Sequence, residues 1–308
     1  MDHASPPLGP GLHVLKRGWL SSNNILLDDG DGATLVDTGH SVHAAQTVAL
    51  LRALLGTRPL RGVLNTHLHS DHCGGNAALQ REWGVAVSVP IGSWQAARDW
   101  DEAALSYRAT HQRCDRFEVH AALQPGQALR IGAREWQVIA APGHDPLSVI
   151  LFDAQHGVLI SADALWANGF GVVFPELEGE HAFDDVARVL DHIEGLGVRW
   201  VIPGHGAPFD DVAAALQRAR ARLAGFRADP ARHLRHGAKV LLKYHLMEER
   251  QQPLAELRAW TLQTPLLQSI WGQLGRPEGD LAPWCEQLLQ ELVASGNLRL
   301  HGDIVHDA

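Results

Sequence analysis

Between Leu12 and Asp37 short β-forming runs alternate with turn residues: Leu12-His13-Val14-Leu15, Asn24-Ile25-Leu26-Leu27 and Ala33-Thr34-Leu35-Val36. Asp29-Gly30 and Asp31-Gly32 separate the last two, which predicts a hairpin. Over 42–55, Val42, Ala45, Val48, Ala49, Leu51 and Leu55 recur near helical spacing and Gly56 follows as a stop. That helix leads into a strand, Gly62-Val63-Leu64-Asn65. A second round follows, with a helix over 75–82, a strand at Val85–Val89, helical stretches between Ser93 and Val119, and β-like runs at 135–141, 148–152 and 157–161. Phe183, Val186, Val189, Leu190 and Ile193 then mark one apolar helix face over 182–196, and Arg199-Trp200-Val201-Ile202 reads as the next strand. Interleaved strands and helices of this kind predict an α/β class with helices outside the sheets.

After Phe209 the periodicity turns mostly helical, over 211–227, 237–250, 253–260 and 282–295, before a β-like end at Asn297–Val305. We therefore expect a body over 1–208 and a helical appendage over 209–308 that ends in a small hairpin. Pro203, Pro208, Pro230, Pro253 and Pro265 are too scattered to mark a flexible linker. The 308 residues, 45% hydrophobic and 20% charged, suit a soluble globular protein. Gly, Asp, Arg or His interrupts every apolar run before the roughly 18 residues a membrane span needs, which excludes the membrane class.

Met1-Asp2-His3-Ala4-Ser5-Pro6-Pro7 lacks the charged and apolar regions of a secretory signal, so a cytoplasmic location is expected. Cys73, Cys114 and Cys285 show no C-x-x-C spacing and support neither a disulfide framework nor a thiolate zinc ribbon. The net charge of −9 lies entirely in the body: residues 1–208 hold 14 Lys+Arg against 23 Asp+Glu, and 209–308 hold 12 against 12. An acidic body disfavours broad binding to a phosphate backbone, which leaves nucleic acid as a secondary partner behind a small-molecule substrate.

The chemistry concentrates in Thr66-His67-Leu68-His69-Ser70-Asp71-His72-Cys73-Gly74-Gly75-Asn76, directly after an expected buried strand. From composition alone His-x-His-x-acid-His arises on the order of once in a hundred such chains. Residues two apart at an extended strand end project to one side, so His67 and His69 can converge on one cation. Asp71 and His72, past the bend, are free to reach a second. Imidazole with carboxylate suits Zn²⁺ best, with Mn²⁺ or Fe²⁺ as substitutes. Six residues cannot fill two coordination spheres, and three further donors follow β-like runs at turns: His144 in Ala141-Pro142-Gly143-His144, Asp163 in Ser161-Ala162-Asp163, and His205 in Pro203-Gly204-His205.

In this order of motifs the sequence resembles the metallo-β-lactamase superfamily over about residues 12–208. The resemblance implies that His67, His69 and His144 hold one metal, that Asp71, His72 and His205 hold the other, and that Asp163 bridges both. It implies an αββα sandwich with the metal pair at one edge. Val36-Asp37-Thr38-Gly39 matches a further motif and makes Asp37 a carboxylate that orients a ligand. Two cations about 3.5–4 Å apart would share a water acidic enough to attack a carbonyl or phosphoryl centre as hydroxide, with Asp71 or a metal-bound water passing the proton to the leaving group.

Asp163 at the bridging position argues against the true β-lactamases of the superfamily, and His69, where the flavodiiron branch usually has Glu, argues against redox iron chemistry. His144 is followed by Asp145-Pro146, where many relatives have Thr or Ser. The leading expectation is a dinuclear zinc hydrolase of a small ester or thioester, of the glyoxalase II kind. The tail resembles the winged-helix-type appendage of some superfamily hydrolases, so a metal-dependent endoribonuclease is the alternative, and a metal-containing binding module without turnover is the third reading. Trp94, Trp100, Tyr107, Trp166, Phe170 and Phe174 are candidates for pocket lining or core, and Arg218, Arg220, Arg222, Arg227, Arg232 and Arg235 form a basic run read as a solvated face. His3, His13, His111, His120, His156, His181, His233, His236, His301 and His306 are taken as structural or solvated, and Cys73 as a small core residue.

Overall fold

Ile25 and Leu27 face one side of their strand and Leu26 faces the other, and all three are buried, so this strand is covered on both faces. The computed structural model describes residues 8–275 and 281–308; Met1–Pro7, with His3, lies outside the described residues. Strands β1 (Leu12–Leu15), β2 (Asn24–Asp28), β3 (Ala33–Val36), β4 (Leu60–Leu64), β5 (Ala86–Pro90) and β6 (Ala121–Leu123) form one sheet in that order. They run antiparallel up to β3 and parallel from β3 onward. Strands β7 (Ala128–Ile131), β8 (Arg134–Ala140), β9 (Val149–Asp153), β10 (Val158–Ala162) and β11 (Trp200–Pro203) form the second, ordered β11-β10-β9-β8-β7.

The period-two alternation sorts side chains into layers. Ile25, Leu27 and Val36 meet Trp136, Leu151 and Ile160 between the sheets. The outer face of the first sheet, with Leu26, Leu35 and Val63, packs under α1 (Ala44–Leu55), the one-turn α2 (Ser70–Cys73), α3 (Asn76–Trp83), α4 (Trp94–Asp99) and α5 (Tyr107–Thr110). The outer face of the second, with Ile150, Leu159 and Val201, lies under α7 (Phe183–Gly195) and α8 (Val212–Ala228), reached after the five-residue α6 (Phe174–Glu178). On α7, Leu190 and Ile193 are fully buried, each worth about 1.5–3 kcal/mol of burial, and Asp184 and Asp185 in its first turn oppose the helix dipole. The architecture is the expected αββα sandwich.

Direction of travel gathers the loops that matter. Both β8 and β10 pair antiparallel with β9, and β10 runs parallel with β11, so these three strands end at one rim. The parallel strands β3 and β4 end there as well. Val149 N donates to Thr66 O at 2.9 Å, Asn23 N to Gly204 O at 2.6 Å and Thr38 N to His72 O at 2.7 Å, which stitches the rim across both sheets.

Beyond α8 come α9 (Pro230–Glu249), β12 (Gln251–Pro253), α10 (Leu254–Gln263), α11 (Pro265–Gln273), α12 (Leu281–Ala294), β13 (Leu298–His301) and β14 (Ile304–Asp307). Asp229 starts α9, its carboxylate accepting from Arg232 N, with Pro230 in the first turn. The last strands form a three-stranded sheet, β12-β14-β13. Leu241, Leu246, Leu267, Ile270 and Leu288 build a separate core here, joined to α6 by Leu177, which fills the space left by Gly237. Helix α8 instead shares the core of the sandwich with α7. Strands β6, β7 and β12 and helices α6 and α11 are additional to those expected from the sequence. Among the described residues no helix is long and apolar enough to cross a membrane.

Candidate metal centre

The seven side chains singled out at the sequence level meet at this rim, in two groups. His67, His69 and His144 form one, and Asp71, His72, Asp163 and His205 the other; within each group the ligand atoms lie within 4.8 Å of one another and every residue is buried. His67 and His69 come from the segment following β4, with Asp71 and His72 on α2. His144 follows β8, Asp163 follows β10 and His205 follows β11. A register shift in the β10–β11 pairing precedes Asp163, and Ala162 takes φ 46°; Asp37, at the end of β3, takes φ 56°. Such left-handed backbone at non-glycine residues costs about 1–3 kcal/mol and is held by the surrounding packing.

Hydrogen bonds on the outer ring nitrogens decide what the inner ones can do. His72 Nδ1 lies 2.7 Å from Asp37 Oδ2 and His144 Nδ1 lies 2.6 Å from Val172 O, so both donate there. Thr66 Oγ1 donates to Asp37 Oδ2 at 2.8 Å, which leaves its lone pair for His67 Nδ1 at 3.1 Å. In its neutral form each of these rings therefore turns an Nε2 lone pair inward; the tautomers follow from this network. Asp37 is itself held by Thr66 N at 2.9 Å.

In the first group His67 Nε2 stands 3.1 Å and His144 Nε2 2.9 Å from His69 Nδ1. A single proton on His69 serves only one of these contacts, whereas a cation would satisfy the three facing nitrogens together. In the second group His72 Nε2 is buried with no hydrogen-bond partner. It lies 3.6 Å from Asp71 Oδ2 and 3.5 Å from Asp163 Oδ2, while His205 Nε2 lies 3.0 Å from Asp71 Oδ2. Asp163 Oδ2 is also 3.4 Å from His144 Nε2, so one carboxylate oxygen borders both groups. Its other oxygen accepts from Trp166 Nε1 at 3.1 Å. The donor set fits two divalent cations of the borderline or harder kind.

The electrostatics agree. Burial, reinforced by neighbouring histidines, holds His67 far below the ordinary imidazole value and His69 down to about 3, so both stay neutral. Burial works against the carboxylates of Asp71 and Asp163, but His72 and His205 outweigh it, taking Asp71 to about 2 and Asp163 well below its ordinary value. Burial likewise opposes charging of His72, and the carboxylates of Asp163, Asp71 and Asp37 overcome it and raise its pKa. One group favours neutral donors and the other demands positive charge.

Glycines let the backbones come this close. A Cβ on Gly204 would strike Asp163 Oδ1, and one on Gly171 would strike His144 Nδ1.

Of the aromatic candidates, Trp166 and Phe174 stand at the centre, Phe174 with its ring centre 4.6 Å from that of His69. Phe170 belongs to the core under α7, and Trp94, Trp100 and Tyr107 to the core under α1 and α3. His233 is structural, accepting from Val173 N at 3.2 Å. Two contributors went unread in the sequence. Trp19, in the β1–β2 connection, stacks on His205 at 5.5 Å and 9° while 61% exposed. Tyr244 of α9 reaches Ser70 Oγ at 2.6 Å. A Trp in a turn-rich stretch and a Tyr on an amphipathic helix carry no local signal of a site.

A family profile described as the metallo-beta-lactamase superfamily matches residues 17–205. The chain is 33% identical over 226 residues to a hydroxyacylglutathione hydrolase of Anaeromyxobacter dehalogenans (strain 2CP-C), a match covering 70% of this chain and 76% of that protein. It is 27% identical over 225 residues to the acyl-coenzyme A thioesterase MBLAC2 of Gallus gallus, covering 66% and 80% respectively. A crystal structure of a metallo-beta-lactamase family protein from Thermus thermophilus aligns with a TM-score of 0.57 at 21% identity, over 98% of this chain and 100% of that one. That last likeness is one of fold.

Proposed function

The chain belongs to the metallo-beta-lactamase superfamily, and from that premise we propose a metal-dependent hydrolase that holds two zinc ions and cleaves a small ester or thioester. The observation that carries this reading is Asp163 Oδ2, 3.4 Å from His144 Nε2 in one group and 3.5 Å from His72 Nε2 in the other. His67, His69 and His144 would hold one ion, Asp71, His72 and His205 the other, with Asp163 shared between them. When bound, such a pair supplies Lewis acidity and makes water reactive near neutral pH.

The chain's own groups do the rest. Asp37 keeps the His72 ring oriented through Nδ1, and the carbonyl of Val172 does the same for His144. Asp71, 7% exposed and held against burial to about 2 by His72 and His205, stays ionised, so it could relay a proton to a leaving group only in passing, and a metal-bound water is the other candidate source. Trp19 covers His205, and Leu147, three residues after His144, is 42% exposed and packs against Gly92 beside the 46% exposed Ile91. Apolar surface left open beside a charged centre suits an acyl group better than a sugar-phosphate chain. The named activities of the hydroxyacylglutathione hydrolase and the acyl-coenzyme A thioesterase support a thioester.

The endoribonuclease alternative draws on the tail, whose order α9-β12-α10-α11-α12-β13-β14 supports the winged-helix-type reading. The division into 1–208 and 209–308 belongs to the same proposal, with α8 packed on the body and the separate core beginning at α9.

Purified protein, tested on a panel of acyl thioesters, esters and single-stranded RNA, is expected to hydrolyse acyl substrates, to lose that activity on chelation and to regain it with Zn²⁺. RNA cleavage at low salt without acyl hydrolysis would overturn the substrate class. Asp37→Asn keeps the shape but weakens the hold on His72 and Thr66. We expect metal affinity or kcat/KM to fall about 10–100-fold, read by competition with a chelating dye. Unchanged values would mean that ring packing alone orients His72.

A further inference from the structure

The arginine run on α8 and α9 divides by partner. Arg220 pairs with Asp191 and Glu194 at 2.8 and 2.9 Å, Arg227 with Asp184 and Arg235 with Glu291, while Arg218 Nε donates to Ala167 O at 2.7 Å. Among the described residues the guanidinium groups of Arg222 and Arg232 pair with no carboxylate, although Arg232 N donates to Asp229 at the start of α9. Arg222 Nη2 lies 2.7 Å from His236 Nε2, and its guanidinium sits 5.4 and 5.3 Å from the ring centres of Phe170 and Phe226. Burial, then the charge of Arg232, pulls the Arg222 pKa below its ordinary value. Burial together with Arg222, Lys239 and Arg232 takes His236 down to about 4. Arg222, Phe226, Arg232 and His236, with Ala221 and Gly225, line a cavity of about 430 Å³ between α8 and α9. A cation withdrawn from water without a counter-charge is unfavourable; that holds for the half-buried Arg222, and the exposed Arg232 adds a second positive charge at the same acid-free space.

We propose that this cavity is a phosphate-binding site separate from the metal centre. The planar fork of Arg222, braced by two aromatic rings, is able to donate to two phosphate oxygens side by side. Arg232, exposed and free to swing, closes on the same group from α9. A dianion offsets both charges, where a monoanion would leave one. The ligand is free phosphate or the phosphoryl end of a larger monoester, whose planar part would rest against Phe226 and His236.

The test titrates full-length protein with inorganic phosphate, and separately with AMP, by calorimetry and thermal unfolding at constant ionic strength, with chloride as the control. Saturable phosphate binding that chloride does not reproduce is expected. Arg232→Ala, at an exposed position, and Arg222→Lys, which keeps charge but loses the fork, should each weaken it about tenfold or more. AMP binding tighter than phosphate identifies a monoester as the source; equal binding identifies free phosphate. Asp163→Asn should bind phosphate as the parent does, since the metal centre is not involved. Equal effects of phosphate and chloride, undiminished binding in both arginine variants, or loss of binding in Asp163→Asn would each overturn the proposal.

Discussion

Asp163→Asn should abolish hydrolysis while leaving the fold intact. The substitution keeps the volume and the bond from Trp166 Nε1, but removes the one carboxylate oxygen that borders both ligand groups. Substituting residues that merely orient a metal ligand costs about 10–100-fold, so loss of a shared ligand is expected to exceed roughly 100-fold in kcat/KM. Metal content should fall from two ions per chain to one or none, measured by elemental analysis on protein whose near-ultraviolet circular dichroism is unchanged. Full activity with two ions retained would remove Asp163 from the ligand set and with it the reading of a carboxylate shared between the two ions.

The largest expected loss of stability belongs to Trp136→Ala. Trp136 is fully buried on β8, where the inner faces of the two sheets meet. Truncation there should cost about 3–5 kcal/mol, a fall in melting temperature of roughly 6–20 °C for a chain of this size. Trp136→Phe separates volume from polarity. The indole Nε1 is buried without a hydrogen-bond partner, so removing it relieves a penalty of about 1–3 kcal/mol while a smaller void opens. The Phe variant should therefore melt much nearer the parent than the Ala variant does. Equal losses for the two, or a shift under about 3 °C for Ala, would show that the sheets close over the gap.

Strands β2, β3 and β10 were legible because their alternation or dense apolar character is local, and His67, His69, Asp71 and His72 because their spacing is improbable by chance. His144, Asp163 and His205 stood out only as turn residues after β-like runs that the family resemblance joined to that cluster. Strand β7 was missed because its residues lie at a sheet edge, alternately exposed and half-buried, and carry little apolar signal. Helix α11 was a misreading of a signal that was present. Pro265 stands in the first turn after Thr264, and Leu266, Leu267, Ile270 and Trp271 follow at helical spacing; taken as one of several scattered prolines, it concealed a helix start. Trp19, Tyr244 and the Val172 carbonyl could not be found this way, because each reaches the centre only once distant segments have packed.

Because β3, β4, β8, β10 and β11 all finish at the rim that carries the donors, the β2–β3, β7–β8 and β9–β10 hairpins turn at the opposite end of the sandwich. Engineering can use that polarity: a fluorescent reporter or an affinity peptide inserted at Asp29–Gly32 or Gly132–Ala133 sits a full strand length from the chemistry. The same insertion in the 16–23 connection would displace Trp19 and spoil the entrance.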